Sequence, residues 1–296
     1  MLNLQLEIFV LIGVGIFAGR MQGIVRRGVE GMSELFIQFL LPCSIFYAFL
    51  TDFSVKDIKE GILVIVFSAL AQFFGLWISK ITFRKQPEPR RKVIRYGLMC
   101  SNRSYIGIPV LQGIYGARGM LYASLALIPV NIFVWTVGIS VFTGTKEKSS
   151  LKTLFKNPSL IAVALGLVFM ATGLRPPAFL DHVLSSVSSC VTPISMIIIG
   201  VILSEVNFKK LFDKTVMQYC AYRLVIIPAV IFAVLKLWGV NGILLGVTVL
   251  FSGMPAPSLT AMLAEKYQCD CRLASQCIFV STLLSIATLP VFCLLF

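Results

Sequence analysis

Long apolar runs divided by short polar ones set the frame of this chain. Ten such runs lie at roughly 4–20, 33–50, 60–80, 93–113, 119–143, 157–174, 179–204, 214–237, 240–265 and 271–296. Each is close to the ~20 residues that a helix needs to cross hydrocarbon. No long polar domain interrupts them. The pattern predicts an all-α polytopic membrane protein with ten transmembrane helices.

Two of the runs cannot be smooth helices. In the fourth, Gly107-Ile108-Pro109 follows Asn102 and Arg103. Pro109 has no N–H to donate, and it pushes Ile108 away from the helical region. A broken helix is therefore expected at Gly107–Pro109, with Asn102 and Arg103 one to two turns before it. The ninth run carries Gly253-Met254-Pro255-Ala256-Pro257. Leu41-Pro42 in the second run and Thr192-Pro193 in the seventh form another pair. The chain thus reads as two halves, 1–150 and 151–296, of five spans each. An odd number of spans per half makes the repeat an inverted one. Paired Gly/Pro interruptions in matching spans point to a transporter site at crossing, broken helices 4 and 9. The alternative for each is a proline kink packed against its neighbours. Pro129 and Pro228 have no counterpart in the other half.

Composition agrees: of 296 residues, 57% are hydrophobic and 13% charged. A net charge of +13 would suit a nucleic-acid partner, but the placement of the charges argues for topology instead. Of the 26 Lys and Arg, 19 lie in the loops after spans 1, 3, 5, 7 and 9, and 5 lie on the other side. The positive-inside rule then puts the odd-numbered loops in the cytoplasm and both termini outside the cell membrane. Residues 4–19 do not read as a signal peptide, because no positive charge precedes them and Glu7 lies within them. Eight scattered cysteines and a single histidine, His182, offer no metal-ligand spacing. No catalytic motif is present, so no enzyme activity, metal or cofactor is expected.

The two remaining cations, Arg103 and Arg223, sit within spans. Arg103 lies about 15 Å along its helix at 1.5 Å per residue. Neither has an acid within one turn of sequence. A deep guanidinium marks either a site that recruits an organic anion or a structural group tied to a distant acid or to carbonyls. Half-helix N-termini at the breaks would add N–H groups and a positive dipole end that favour a carboxylate. The candidate substrate-binding set is Asn102, Arg103, Gly107, Ile108, Pro109, Asn131, Arg223, Pro255, Ala256 and Pro257. Gln72 and Gln276 would each either line the cavity or bond a neighbouring helix, the helix contact being favoured for Gln72, and Ser281, Thr282 and Ser285 are read as intrahelical hydroxyls.

At these residues the chain resembles the bacterial branch of the auxin efflux carrier family. That branch includes malate and malonate permeases and is related to the plant PIN carriers. Asn102 with Gly107-Ile108-Pro109 resembles the family's crossover motif, Lys156-Asn157-Pro158 its entry to the second half, and Met254-Pro255-Ala256 with Ser281-Thr282-Leu283-Leu284-Ser285 its last two spans. Arg103 and Ser104 depart from the Thr-Gly commonly found after the asparagine. The resemblance implies a carboxylate carrier of elevator type. Spans 1, 2, 6 and 7 would form a scaffold and homodimer face, and spans 3–5 and 8–10 a moving transport domain. The expected function is secondary active transport of a small organic anion, with the coupling ion, proton or sodium, left open. Two alternatives remain: a sodium-coupled symporter like the bile-acid carriers, and a membrane receptor that binds its ligand without moving it.

Overall fold

The computed structural model of the chain describes residues 2–21, 24–50, 55–143, 156–204 and 213–295. The boundary expected at 150/151 and the loop cations Lys146, Lys148, Lys152, Lys209 and Lys210 lie outside these residues. All regular structure among the described residues is helical. The helices are α1 (Leu2–Arg20), α2 (Ile24–Leu35), α3 (Leu41–Ala48), α4 (Val55–Thr82), α5 (Glu88–Met99), α6 (Ile108–Phe133) and α7 (Ile139–Thr143). Then come α8 (Pro158–Thr172), α9 (Ala178–Ser204), α10 (Lys214–Ala221), α11 (Ile227–Leu237), α12 (Gly242–Ser252), α13 (Leu259–Lys266) and α14 (Cys271–Cys293).

By length and apolar character, six helical stretches among the described residues suit a membrane crossing. They are Gly31–Ala48, Asp57–Thr82, Glu88–Thr143, Ala178–Ile202, Lys214–Leu237 and Cys271–Cys293, with Pro158–Thr172 and Gly242–Ser252 as shorter apolar helices. The third is 56 residues long and is not one rod. It is interrupted at Cys100–Asn102, and again at Gly116, whose φ of +61° a residue with a side chain rarely adopts. The second interruption falls between the runs expected at 93–113 and 119–143.

Prolines shape the helices by a shared device. Five-residue wide turns of π type occupy Phe36–Leu40, Arg103–Gly107 and Tyr222–Ile226. Each begins six residues before a proline, Pro42, Pro109 and Pro228, whereas a further wide turn at Val134–Gly138 precedes none. A proline cannot donate to the carbonyl four residues back, and its ring collides with that carbonyl. Widening the preceding turn by one residue moves the carbonyl aside and lets the helix continue. This corrects the break expected at Gly107–Pro109. Gly107 closes the wide turn, and Ile108 and Pro109 open α6, so all three are helical. The chain instead breaks at Cys100–Asn102, where Cys100 is extended (φ −102°, ψ 151°). The second break lies where it was expected, with non-helical backbone from Met254 to Pro257 between α12 and α13.

The chain divides into two compact units. Unit 1 comprises Met1–Ile62, Ser104–Leu125 and Phe155–Val206, and unit 2 comprises Leu63–Arg103, Ala126–Leu154 and Asn207–Phe296. In unit 1, α1 meets α9 backbone to backbone. A Cβ on Gly15 would lie 2.3 Å from Ile197 O, and one on Gly200 2.2 Å from Ile12 O, so any side chain there would force the helices apart. Unit 1 also holds a buried polar seam. Ser44 Oγ and Ser188 Oγ are 2.7 Å apart, Gln112 Nε2 donates to Ser188 Oγ at 2.9 Å, and Thr192 Oγ1 donates to Pro109 O at 3.3 Å. Pro109, placed in the candidate set by sequence, thus serves this seam through its carbonyl. Ile108 is fully buried beside it. Asn157 caps α8 by accepting from Ser159 N–H at 3.0 Å and Leu160 N–H at 3.3 Å, with Pro158 at the first helical position.

Three helix starts of unit 2 are tied together by one cation. Asp213 caps α10 by accepting from Thr215 N–H at 3.2 Å, and Asp270 caps α14 by accepting from Leu273 N–H at 2.8 Å. Arg90, in the first turn of α5, hydrogen-bonds Asp213 through Nη2. Its Nε lies 3.4 Å from Asp270 Oδ2, an ion pair without hydrogen-bond geometry. The Arg90 hydrogen bond, then the Thr215 amide, holds the Asp213 carboxyl below its ordinary pKa.

Candidate functional site

The two breaks meet inside unit 2. Asn102 N–H donates to Pro255 O at 2.8 Å, joining the extended residues of one break to those of the other. Within the second break, Ala256 N–H donates to Ser281 Oγ of α14 at 3.0 Å. Two further amides near the breaks are served locally: Arg103 N–H donates to Ser101 O at 2.9 Å and Thr260 N–H to Pro257 O at 3.0 Å. In an apolar medium each such group needs a partner, and here the protein supplies it. The Asn102 and Ala256 main-chain amides at the breaks are therefore engaged within the protein. Met254 and Ala256 are fully buried.

Arg103 opens the wide turn after the first break and is 3% exposed. Its Nη1 donates to Ser68 Oγ of α4 at 2.6 Å and its Nε to Ser101 Oγ at 2.9 Å. Both hydroxyls donate hydrogen bonds in turn, Ser68 to Ala126 O at 3.4 Å and Ser101 to Phe251 O at 3.2 Å. The guanidinium carbon stands 5.3 Å from the centroid of the Phe251 ring, a cation–π contact. No carboxylate pairs with Arg103 among the described residues. A narrow void bounded by Val64, Ala71, Val247 and Phe251 adjoins it and has no room for a water-sized molecule. A carboxylate would reach the guanidinium only after these walls part.

Arg223 lies in the wide turn before α11 and is 2% exposed. Its Nε donates to Met254 O at 2.7 Å and its Nη1 to Leu98 O at 2.8 Å. Leu98 is in the last turn of α5, and Met254 follows the end of α12. One guanidinium thus bridges the carbonyl ends of both half-helices, where their dipoles are negative. Carbonyl ligation is one of the structural roles that the sequence left open for it. Its Nη2 is buried with no hydrogen-bond partner among the described residues. The backbone of α4 presses on the same carbonyl: a Cβ on Gly75 would come within 2.3 Å of Leu98 O.

The structure therefore brings Asn102, Arg103, Pro255 and Ala256 together in unit 2, with Arg223 on the carbonyls that lead into both breaks. Asn131 is half-buried in α6 and donates to Leu127 O of its own helix at 2.9 Å. Gln72 Nε2 donates within α4 to Ser68 O at 3.1 Å, while its Oε1 is buried without a partner among the described residues. Thr282 and Ser285 bond their own helix, at 2.7 Å to Ile278 O and 2.7 Å to Thr282 O. Ser281 was expected to do the same, yet it also accepts from the Ala256 amide. Ser68, Ser101 and Phe251 were not singled out by sequence.

A family model described as membrane transport protein matches residues 2–293. Among curated proteins, the chain is similar to an uncharacterized transporter of Methanocaldococcus jannaschii, at 26% identity over 96% of this chain and 95% of the relative. It is 31% identical to an uncharacterized transporter of Methanothermobacter thermautotrophicus over 64% of this chain and 63% of the relative. It is also 21% identical to the uncharacterized transporter YfdV of Escherichia coli over 96% of this chain and 94% of that protein.

Proposed function

The chain belongs to the membrane transport protein family, and from that premise we propose that it is a secondary active transporter of a small organic anion, most simply a carboxylate. The observation that carries this reading is the joined pair of breaks with Arg103 beside them. A buried, permanently charged group that holds no carboxylate of its own among the described residues is matched to one brought by a substrate. The guanidinium geometry suits a bidentate carboxylate. Asn102 would position the anion beside it, while Arg223 keeps the two half-helices in register.

The closed void over Arg103 fits a carrier that exposes its site to one side at a time. The reading extends to a ten-span inverted repeat in the cell membrane, both termini outside, with an elevator movement as in the carboxylate-permease branch of the auxin efflux carriers. Unit 2 alone contains both breaks and both buried arginines, which favours it as the moving part. The helices of unit 1 with close-packed glycines would then form the scaffold and the face of a homodimer. A proton or sodium ion would supply the driving force.

Counterflow in proteoliposomes across a panel of mono- and dicarboxylates tests this directly. Accumulation of a labelled carboxylate against the unlabelled pool is the expected result, and imposed proton and sodium gradients identify the coupling ion. Binding of a carboxylate with no counterflow under any gradient would convert the protein into a receptor.

A further inference from the structure

A second cationic feature of unit 2 lies apart from the breaks. The end of α4, the start of α5 and the segment around α7 enclose a cavity of about 300 Å³. Lys80, Arg91, Lys92 and Arg95 line it, against a single acid among the described residues, Glu88. Glu88 is already committed to Lys92, with Nζ to Oε1 at 3.2 Å. No carboxylate pairs with Lys80, Arg91 or Arg95 among the described residues. The Nε atoms of Arg91 and Arg95 are buried and lack any hydrogen-bond partner there. These two arginines are four residues apart on one helix face, where like charges repel. Buried donors, uncancelled charge and open space in one place describe an anion site without its anion's counterpart in the chain.

The remaining walls decide which anion. Leu76, Val137 and Val141 give the cavity an apolar side. Phe73 and Trp77 are exposed on α4, seven and three residues before Lys80 and so on its face. A small soluble anion gains nothing from such a strip. A phospholipid does: its phosphate meets the arginines, its glycerol the apolar wall, and its chains run along the strip beside a tryptophan at interfacial depth. The geometry points to a binding site for the phosphate headgroup of an anionic phospholipid, such as phosphatidylglycerol, held by Arg91, Arg95 and Lys80.

Native mass spectrometry of the purified full chain in detergent, titrated with phosphatidylglycerol and with phosphatidylcholine, tests this. The wild type is expected to bind phosphatidylglycerol about tenfold or more tightly than phosphatidylcholine, as a charge-assisted contact provides. Arg91→Gln with Arg95→Gln is expected to remove that preference and leave phosphatidylcholine binding unchanged. Lys80→Gln, which alters only the exposed rim, is expected to reduce the preference severalfold, and it serves if the double variant does not fold. Equal binding of both lipids by the wild type overturns the proposal, as does a preference that survives in every folded variant. Displacement of phosphatidylglycerol by millimolar glycerol 3-phosphate, with no advantage from the acyl chains, would overturn it in favour of a soluble phosphate ligand.

Discussion

Arg223 donates to two main-chain carbonyls, whereas Arg103 donates to two serine hydroxyls and lies over a phenyl ring. The two regions lie on either side of the first break, and both are sealed from solvent. Their partners differ in freedom. Carbonyls at half-helix ends are fixed by the fold and need a donor in every state of the protein. Hydroxyls can turn, and each already has a second partner in a backbone carbonyl. A substrate oxygen can replace a hydroxyl on Arg103 without leaving a buried group unserved, and on Arg223 it cannot. Under the proposed function, Arg223 would hold position and Arg103 would bind the ligand.

The largest effect is expected at Arg223. Arg223→Gln removes two charge-assisted hydrogen bonds, worth roughly 1.5–3 kcal/mol each. Purified variant protein should melt well below the parent, and whatever remains folded should bind substrate with near-normal affinity. An unchanged melt with weakened binding would reverse the assignment of the two arginines. Arg103→Gln should do the opposite, lowering carboxylate affinity about ten- to a hundredfold, or roughly 1.4–2.7 kcal/mol, with little change in melting. Arg103→Lys should keep the charge, lose the bidentate geometry and fall between. Affinity and melting measured on one sample separate these outcomes.

The prolines sharpen the contrast between a break and a wide turn. Pro255→Ala with Pro257→Ala restores two amide donors and helical freedom at a true break, so transport should fall by an order of magnitude or more. Pro109→Ala only relaxes a wide turn inside a continuous helix, and initial uptake rates should stay within a few-fold of the parent. Comparable losses in both would mean that the wide turn is itself part of the moving site.

The smallest effect belongs to the clasp on Arg90. Asp213→Asn keeps a capping oxygen but loses the charge pair, and should cost about 1 kcal/mol or less, seen as a small drop in melting temperature. Because the folded-state pKa of Asp213 is depressed, its contribution is fully present above the ordinary carboxylate pKa of about 3.9 and is lost as pH falls through the lower folded value. Melting curves of parent and variant should therefore converge below about pH 4 and separate above it.

Where the sequence and the structure part company, the cause is mostly tertiary. Apolar length marked the six described stretches suited to a crossing, and proline and glycine marked both broken runs, because those properties act locally. The exact break near Arg103 was not legible. Pro109 looks disruptive by itself, but a wide turn absorbs it, and the true break falls where Ser101 and Pro255 can serve freed backbone groups. Partners of Arg223 are main-chain carbonyls, which leave no mark on side-chain identity. Ser68 is one hydroxyl in a long apolar helix, and nothing in its neighbourhood separates it from a residue bonded to its own turn. Ser281 had the signal of an intrahelical hydroxyl and has that role as well.

The three wide turns that precede prolines carry a consequence for the angular phase of their helices. Each holds one residue more than an α-helical turn requires, so each is a stored insertion. Residues beyond it face about 100° away from where an unbroken helix would have put them. Removing a single residue from Arg103–Gly107 would let ordinary turns close and would rotate the face of α6 that follows, carrying Gln112 off Ser188 although no side chain from Pro109 onward had changed in identity. Length changes there should therefore be far more damaging than substitutions, and the register of these helices depends on a count of residues as much as on their identity.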